Sequence, residues 1–220
     1  MRDQSADLSW SGGVPVSDRY RDPYYSLENG LAETTHVFLN GNGLPARFRP
    51  GFHIAELGFG TGLNLLVALR AARAAGALPL RYTGFEAHPM APEDIARALA
   101  AFPEFGPDAA WLAHAWAKGP RIDTPELTAE ILLGPAAETL PAWPGKADAW
   151  FLDGFAPARN PGLWSDALMA EVARHTVPGG SFATYTAAGH VRRALAAAGF
   201  EVTRLPGYGR KRHMSAGRLK

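Results

Sequence analysis

Between the apolar run Phe52–Leu57 and the helically spaced apolar residues of Leu63–Ala75 lies Glu56-Leu57-Gly58-Phe59-Gly60-Thr61-Gly62. A strand, a glycine turn and a helix in direct succession commit the chain to crossover connections, and so to a mainly parallel α/β sheet. The later segments repeat that alternation. Arg81–Glu86, Leu127–Leu133, Ala149–Asp153 and Ser181–Tyr185 read as strands; Pro92–Ala101, Ala136–Leu140, Asp166–His175 and Ala187–Ala198 read as helices. Phe200–Leu205 and Tyr208–Ala216 suit a closing antiparallel pair, whereas Phe102–Arg121 shows no decisive period. Right-handed crossovers then predict a doubly wound sheet. Its ligand belongs outside the carboxyl ends of the strands, among the loops after Leu57, Glu86, Leu133, Asp153 and Tyr185.

With 220 residues, 47% of them hydrophobic, the chain is long enough for one sizeable core and too short for two ordinary ones. The expected organisation is an extension over residues 1–50 and a ligand-binding domain over 51–220. Within the extension, His36–Asn40 and Leu44–Phe48 flank Gly41-Asn42-Gly43, a pattern that reads as a β-hairpin. Cysteine is absent, which removes disulfides, thiolate metal sites and thiol nucleophiles and suits a reducing cytoplasm. No metal site is expected. The first ten residues hold no apolar core of a signal peptide, and no window approaches the ~20 apolar residues of a membrane span.

The glycine spacing discriminates between cofactors. A dinucleotide loop, G-x-G-x-x-G, counted from Gly58, requires glycine at position 63, which is leucine. The pattern E-x-G-x-G-x-G is instead the form suited to S-adenosylmethionine, which has no pyrophosphate to seat on a helix N-terminus. Glu86, ending the second strand, stands where an acid accepts hydrogen bonds from ribose hydroxyls. Asp153 ends a nearly continuous apolar strand and emerges at the same face, followed by Gly154-Phe155-Ala156-Pro157. A carboxylate there can orient an amine and collect its proton, or it can simply cap the next turn.

Net charge is only +1, but it is unevenly spread: residues 1–110 carry 9 basic and 12 acidic side chains, residues 111–220 carry 13 and 9. Arg192, Arg193, Arg204, Arg210, Lys211, Arg212, Arg218 and Lys220 crowd the end of the chain against Glu201 alone. Such a stretch either neutralises phosphates or forms a solvated edge. If Arg210–Arg212 lie in a strand, alternation sends Arg210 and Arg212 to one side and Lys211 to the other.

Three segments together resemble the methyltransferase part of MnmC-type tRNA wobble-uridine enzymes. They are Asp22-Pro23-Tyr24-Tyr25-Ser26-Leu27-Glu28-Asn29-Gly30-Leu31-Ala32-Glu33-Thr34-Thr35-His36-Val37-Phe38-Leu39 with the earlier Pro15-Val16-Ser17, then Glu56 to Leu66, then Asp148 to Trp164. The closing Gly207-Tyr208-Gly209-Arg210-Lys211-Arg212-His213-Met214 is similar too, so the likeness runs from about Trp10 to Met214. The resemblance implies a Rossmann-like class I S-adenosylmethionine-dependent methyltransferase fold with an N-terminal β-hairpin extension. It implies methylation of the aminomethyl group on carbon 5 of (2-thio)uridine at wobble position 34, in a stand-alone MnmD-like form without FAD. Asp153 then matches the catalytic acid, and Glu56, Gly58, Gly60, Gly62, Asn64 and Glu86 the cofactor cradle. Tyr24, Tyr25, Asn29 and Glu33 match a segment expected to fold over the cofactor or the incoming base. Arg192, Arg210 and Arg212 are expected to meet the tRNA anticodon loop, and a monomer is favoured. One departure stands out: where the family places Gly-Asp after the third strand, this chain has Gly134-Pro135. Either Glu138 substitutes toward the adenine, or backbone groups alone hold it. The competing readings are a cofactor-binding protein without activity, a methyltransferase acting on another amine, and an NAD enzyme.

Overall fold

A computed structural model describes residues 5–26 and 29–220. Three short strands open the chain: β1 (Leu8–Ser11), β2 (Val14–Ser17) and β3 (Asp22–Pro23), paired antiparallel in that order. A single helix turn, α1 (Gly30–Thr34), follows and runs on without a break through Thr35–Leu39 and Asn40–Asn42. The main sheet then alternates with helices. Its elements are β4 (His53–Leu57), α2 (Leu63–Ala74), β5 (Leu80–Glu86), α3 (Pro92–Leu99), α4 (Pro107–Lys118), β6 (Arg121–Asp123) and β7 (Leu127–Leu133). There follow α5 (Ala136–Ala142), β8 (Ala147–Leu152), α6 (Asp166–Arg174), β9 (Thr176–Thr184), α7 (Gly189–Ala197), β10 (Phe200–Pro206) and β11 (His213–Leu219).

The eight strands lie in the order β10-β11-β9-β8-β4-β5-β7-β6. The central five run parallel, while β11 is antiparallel to both its neighbours and β6 antiparallel to β7. Every residue of β4 and β8 is buried, as strands covered on both faces require. Alternate side chains of β8 feed two separate cores: Ala149 and Phe151 pack toward α2, α3 and α4, Trp150 and Leu152 toward α5, α6 and α7. The chain order reverses at β4, which pairs with β5 on one side and β8 on the other, and a crevice opens beyond their carboxyl ends.

The N-terminal hairpin exists, but not at Gly41-Asn42-Gly43. It is β1–β2, turned at Gly12-Gly13. Residues 36–42 instead continue the helix of α1, and 43–47 form a turn. A Gly-Asn-Gly sequence suits a helix C-terminus as well as a hairpin turn, and packing chose the first. Val37, Phe38 and Leu39 bury their side chains in the main core, and a Cβ on Gly41 would lie 2.7 Å from that of Ala183. Gly43 ends the run at φ +68°, its N–H donating to Asn40 O at 2.9 Å. The closing pair is also corrected. β11 starts at His213, and Gly207–Arg212 is a turn closed by Lys211 N–H to Tyr208 O at 3.0 Å, so alternation does not govern Arg210–Arg212.

Asn42 ties this helix to the sheet. Its Nδ2 donates to Phe38 O at 2.9 Å and Trp150 O at 3.2 Å, and its Oδ1 accepts from Ser181 Oγ at 2.6 Å. Asn42→Ala should therefore cost about 2–4 kcal/mol in urea unfolding, since buried partners in β8 and β9 lose their bonds. An asparagine at an exposed hairpin tip would cost less than about 0.5 kcal/mol.

Candidate functional site

The crevice at the carboxyl ends of β4, β5 and β8 holds a cavity of about 530 Å³, roofed by the N-terminal segment. Gly58, Gly60, Glu86, Asp153, Phe155 and Tyr185 are among its walls. In the glycine loop, Gly58 has φ +86°, and a Cβ there would sit 1.9 Å from Asp153 O. Only glycine lets the loop press against the end of β8. Gly62, at φ +76°, admits Leu112 of α4, which would be 2.7 Å from any Cβ. Gly60 carries its N–H to Glu86 Oε2 at 2.9 Å, and Glu86 Oε1 accepts from His88 N at 2.8 Å. Burial raises the Glu86 carboxyl above its ordinary range, while those backbone donors pull it back.

Behind the loop two carboxylates share one donor. Glu56 is fully buried; its Oε2 accepts from Tyr82 O–H at 2.6 Å and its Oε1 from Asn64 Nδ2 at 2.5 Å. The same Asn64 nitrogen donates to Asp153 Oδ2 at 2.7 Å. Glu56 is held well above its usual range by burial and by the charge of Asp153. Asp153 is pushed up to about 7 by burial, against the opposing effects of the Asn64 bond and the Lys211 charge. Glu56 lies behind the cavity and is absent from its lining, whereas Asn64 and Asp153 face it. A carboxyl that exchanges its proton near neutrality, open to a cavity, can act as a proton acceptor.

The segment after Asp153 is stitched in place. Trp164 Nε1 donates to Phe155 O at 2.9 Å, Tyr185 O–H to Gly154 O at 2.7 Å, and Ala156 N to Asp22 Oδ2 at 2.9 Å. Arg159 adds an ion pair to Asp22 at 3.1 Å. Tyr20 stacks on Phe155 with centroids 4.7 Å apart, and Tyr24 meets the same ring edge-on at 5.0 Å. The N-terminal segment thus closes over the Asp153 loop.

The predicted site residues divide. Tyr24, Tyr25 and Glu33 line the cavity. Tyr25 also has a packing role, its O–H donating to Ala98 O at 3.0 Å. Asn29 is exposed and caps α1, its Oδ1 accepting from Ala32 N at 2.9 Å. Glu138 is exposed on the first turn of α5 and is not on the lining, although Ala136 is. Arg210 lines the cavity mouth; Arg192 and Arg212 do not. These last two lie with Arg204 around His213, whose imidazole partial desolvation and the three charges hold below its ordinary value. Tyr20, Asp22, Phe155 and Tyr185 also reach the cavity and were assigned no role from sequence; Lys211, expected only as part of the basic phosphate-binding stretch, lines it too. Phe155, Asp22 and Lys211 all stood inside the quoted segments, but the pairing of Lys211 with Glu33 was hidden by reading its turn as a strand.

A sequence model of a family described as S-adenosyl-L-methionine-dependent methyltransferase matches residues 108–220. The chain is 44% identical to the tRNA 5-methylaminomethyl-2-thiouridine biosynthesis bifunctional protein MnmC of Chromobacterium violaceum, across 99% of this chain and 35% of that one. Identity to the protein of the same name from Caulobacter vibrioides is 47%, across 93% of this chain and 36% of the relative. The chain therefore spans about a third of the length of these relatives. The crystal structure of MNMC2 from Aquifex aeolicus shares the fold, with a TM-score of 0.79 at 24% identity over the whole of this chain and 72% of that one. With more than half of its length matched, and with the sheet order and glycine loop described above, the chain belongs to the S-adenosyl-L-methionine-dependent methyltransferase family.

Proposed function

We propose that this chain transfers a methyl group from S-adenosylmethionine to the primary amine of 5-aminomethyl-(2-thio)uridine at the tRNA wobble position. The observation that carries this reading is Asp153, a carboxyl raised to about 7 at the cavity wall, in a chain 44–47% identical to proteins named for 5-methylaminomethyl-2-thiouridine biosynthesis.

The residues fit the cofactor. Glu86 offers a carboxylate pinned by two backbone N–H groups, with lone pairs left for a pair of ribose hydroxyls. Gly60 presents backbone without a side chain at the cavity wall, as close approach of a ligand demands. No acid follows β7 on the lining, which favours backbone recognition of the adenine over Glu138. When bound, S-adenosylmethionine supplies an activated methyl on a sulfonium, so the chain needs no further activation of the leaving group.

What the chain must do is hold an amine in line and remove its proton. Asp153 suits both tasks. Its Oδ2 is anchored by Asn64, and Lys211, Glu33 and Tyr185 surround the approach to it. Holding nucleophile and methyl at roughly 3–3.5 Å contributes most of the rate, and the proton acceptor adds roughly 10²–10⁴-fold. The aromatic pair Tyr20 and Tyr24 beside Phe155 offers stacking surface for a base turned out of the anticodon loop. Arg210 at the mouth, and Arg192, Arg204 and Arg212 beyond it, suit the phosphates that flank that base. No helix among the described residues is long and apolar enough to cross a membrane. A tRNA substrate would place the work in the cytoplasm.

Transfer of labelled methyl to tRNA bearing the aminomethyl group, and none to tRNA with unmodified wobble uridine, is the direct test. Asp153→Asn should cut single-turnover transfer by roughly 10²-fold or more while leaving the thermal midpoint at pH 8 unchanged or higher, since a buried charge has been removed. Near-normal turnover would take Asp153 out of the mechanism. Glu86→Ala should weaken S-adenosylmethionine binding by at least ~1.5 kcal/mol in titration calorimetry, the scale of a charge-assisted bond. Unchanged affinity would sink the ribose assignment, and comparable binding of NADH would overturn the cofactor itself.

A further inference from the structure

At the cavity mouth a lysine of this chain lies against two groups suited to an alkylammonium ion. Lys211 Nζ is 2.7 Å from Glu33 Oε1 and 4.0 Å from the centroid of the Tyr185 ring. The two ends of the ion pair are not alike. The Glu33 side chain is only 13% exposed and stands on the first turn of α1, whose helix continues into the core; that of Lys211 is 45% exposed, on the turn between β10 and β11. Tyr185 is fixed by its O–H bond to Gly154 O. Asp153, Asp22 and Arg159 also face it, and the last two are paired with each other. A mostly buried carboxylate beside an aromatic face is a recognition set for a cation, and it loses heavily if left with none. Asp153 lies near enough to feel the charges of both Lys211 and Glu33.

We propose that Glu33 and Tyr185 form an ammonium subsite for the protonated aminomethyl group of the substrate, which Lys211 fills in the free enzyme and vacates as the substrate enters. This rests on the reading of the substrate as a primary amine. The exchange swaps one ammonium for another, so neither the carboxylate nor the ring is left bare. It brings the substrate nitrogen beside Asp153, and frees Lys211 to join Arg210 at a rim where phosphates approach. A neutral hydroxymethyl group would gain neither contact and could not displace the lysine. The subsite therefore selects for charge before any chemistry occurs.

Benzylammonium, a primary aminomethyl group on a flat ring, tests the subsite without cofactor or tRNA; benzyl alcohol is its neutral counterpart. Binding is read from chemical-shift titration of the free protein. The wild type should prefer benzylammonium by about tenfold or more, as should follow from one charge-assisted contact with cation–π support. Lys211→Met, which removes the resident cation at similar length, should tighten benzylammonium severalfold and leave benzyl alcohol unchanged. Glu33→Gln should erase the preference. The proposal is overturned by equal binding of the two probes to the wild type, by weaker or unchanged benzylammonium binding to Lys211→Met, or by a preference that survives in Glu33→Gln. Should Glu33→Gln fail to fold, the Lys211→Met comparison decides. If the probes behave as expected while aminomethylated tRNA goes unmethylated, the substrate assignment falls and the subsite stands.

Discussion

One side-chain amide holds the centre of this protein together. Asn64, in the second position of α2, donates to Glu56 on β4 and to Asp153 at the end of β8. Two carboxylates brought this close repel each other, and burial disfavours the charge on each. The donors of Asn64 and Tyr82 are what make the arrangement tolerable. Much else follows from it. The glycine loop must turn from β4 into α2 without a side chain at Gly58, because the end of β8 presses against it there. Asp153 is thereby fixed at the cavity wall, partly exposed, with its carboxyl near the midpoint of protonation at neutral pH.

A second set of contacts converts an open crevice into an enclosed site. Asp22 bonds across to Ala156 and Arg159, Tyr20 and Tyr24 pack on Phe155, and Lys211 reaches Glu33 from the far edge of the sheet. The N-terminal segment and the turn before β11 approach from different ends of the chain and meet over the same loop. This cover removes solvent from part of the wall that carries Asp153, and a lower local dielectric strengthens each electrostatic contact there. Each ion pair joins a half-exposed cation to a carboxylate that is mostly buried.

The parallel sheet was legible because buried strands and the glycine loop leave a strong signal: Leu127–Leu133 matches β7 in full, and β8 ends one residue before Asp153. The positions of Glu86 and Asp153 at the crevice were legible for the same reason, each standing where a strand ends. The failures share a cause. Gly41-Asn42-Gly43 suits either a hairpin or a helix end, and the choice was made by Ala183 and Met214, residues remote in sequence. Lys211 followed a strand pattern that the turn at Gly207–Arg212 interrupts, so its partnership with Glu33 could not be seen. Asn64 was read as part of the cradle; its position as the donor between two carboxylates depends on the spacing of β4 and β8, which no local pattern encodes.

The role proposed for Asp153 is that of a proton acceptor tuned by Asn64. Carboxyl ¹³C NMR of the free protein, labelled at aspartate, measures this directly. Wild-type Asp153 should titrate near 7 rather than at the ordinary value of about 3.9, and Asn64→Leu should move it higher by removing the bond that favours the anion. Linkage gives the same group a signature in stability. The folded state holds this proton more tightly than the unfolded chain, so its contribution is full below about 4 and is lost as pH rises through about 7. A midpoint near 4, or one indifferent to Asn64, would contradict the account.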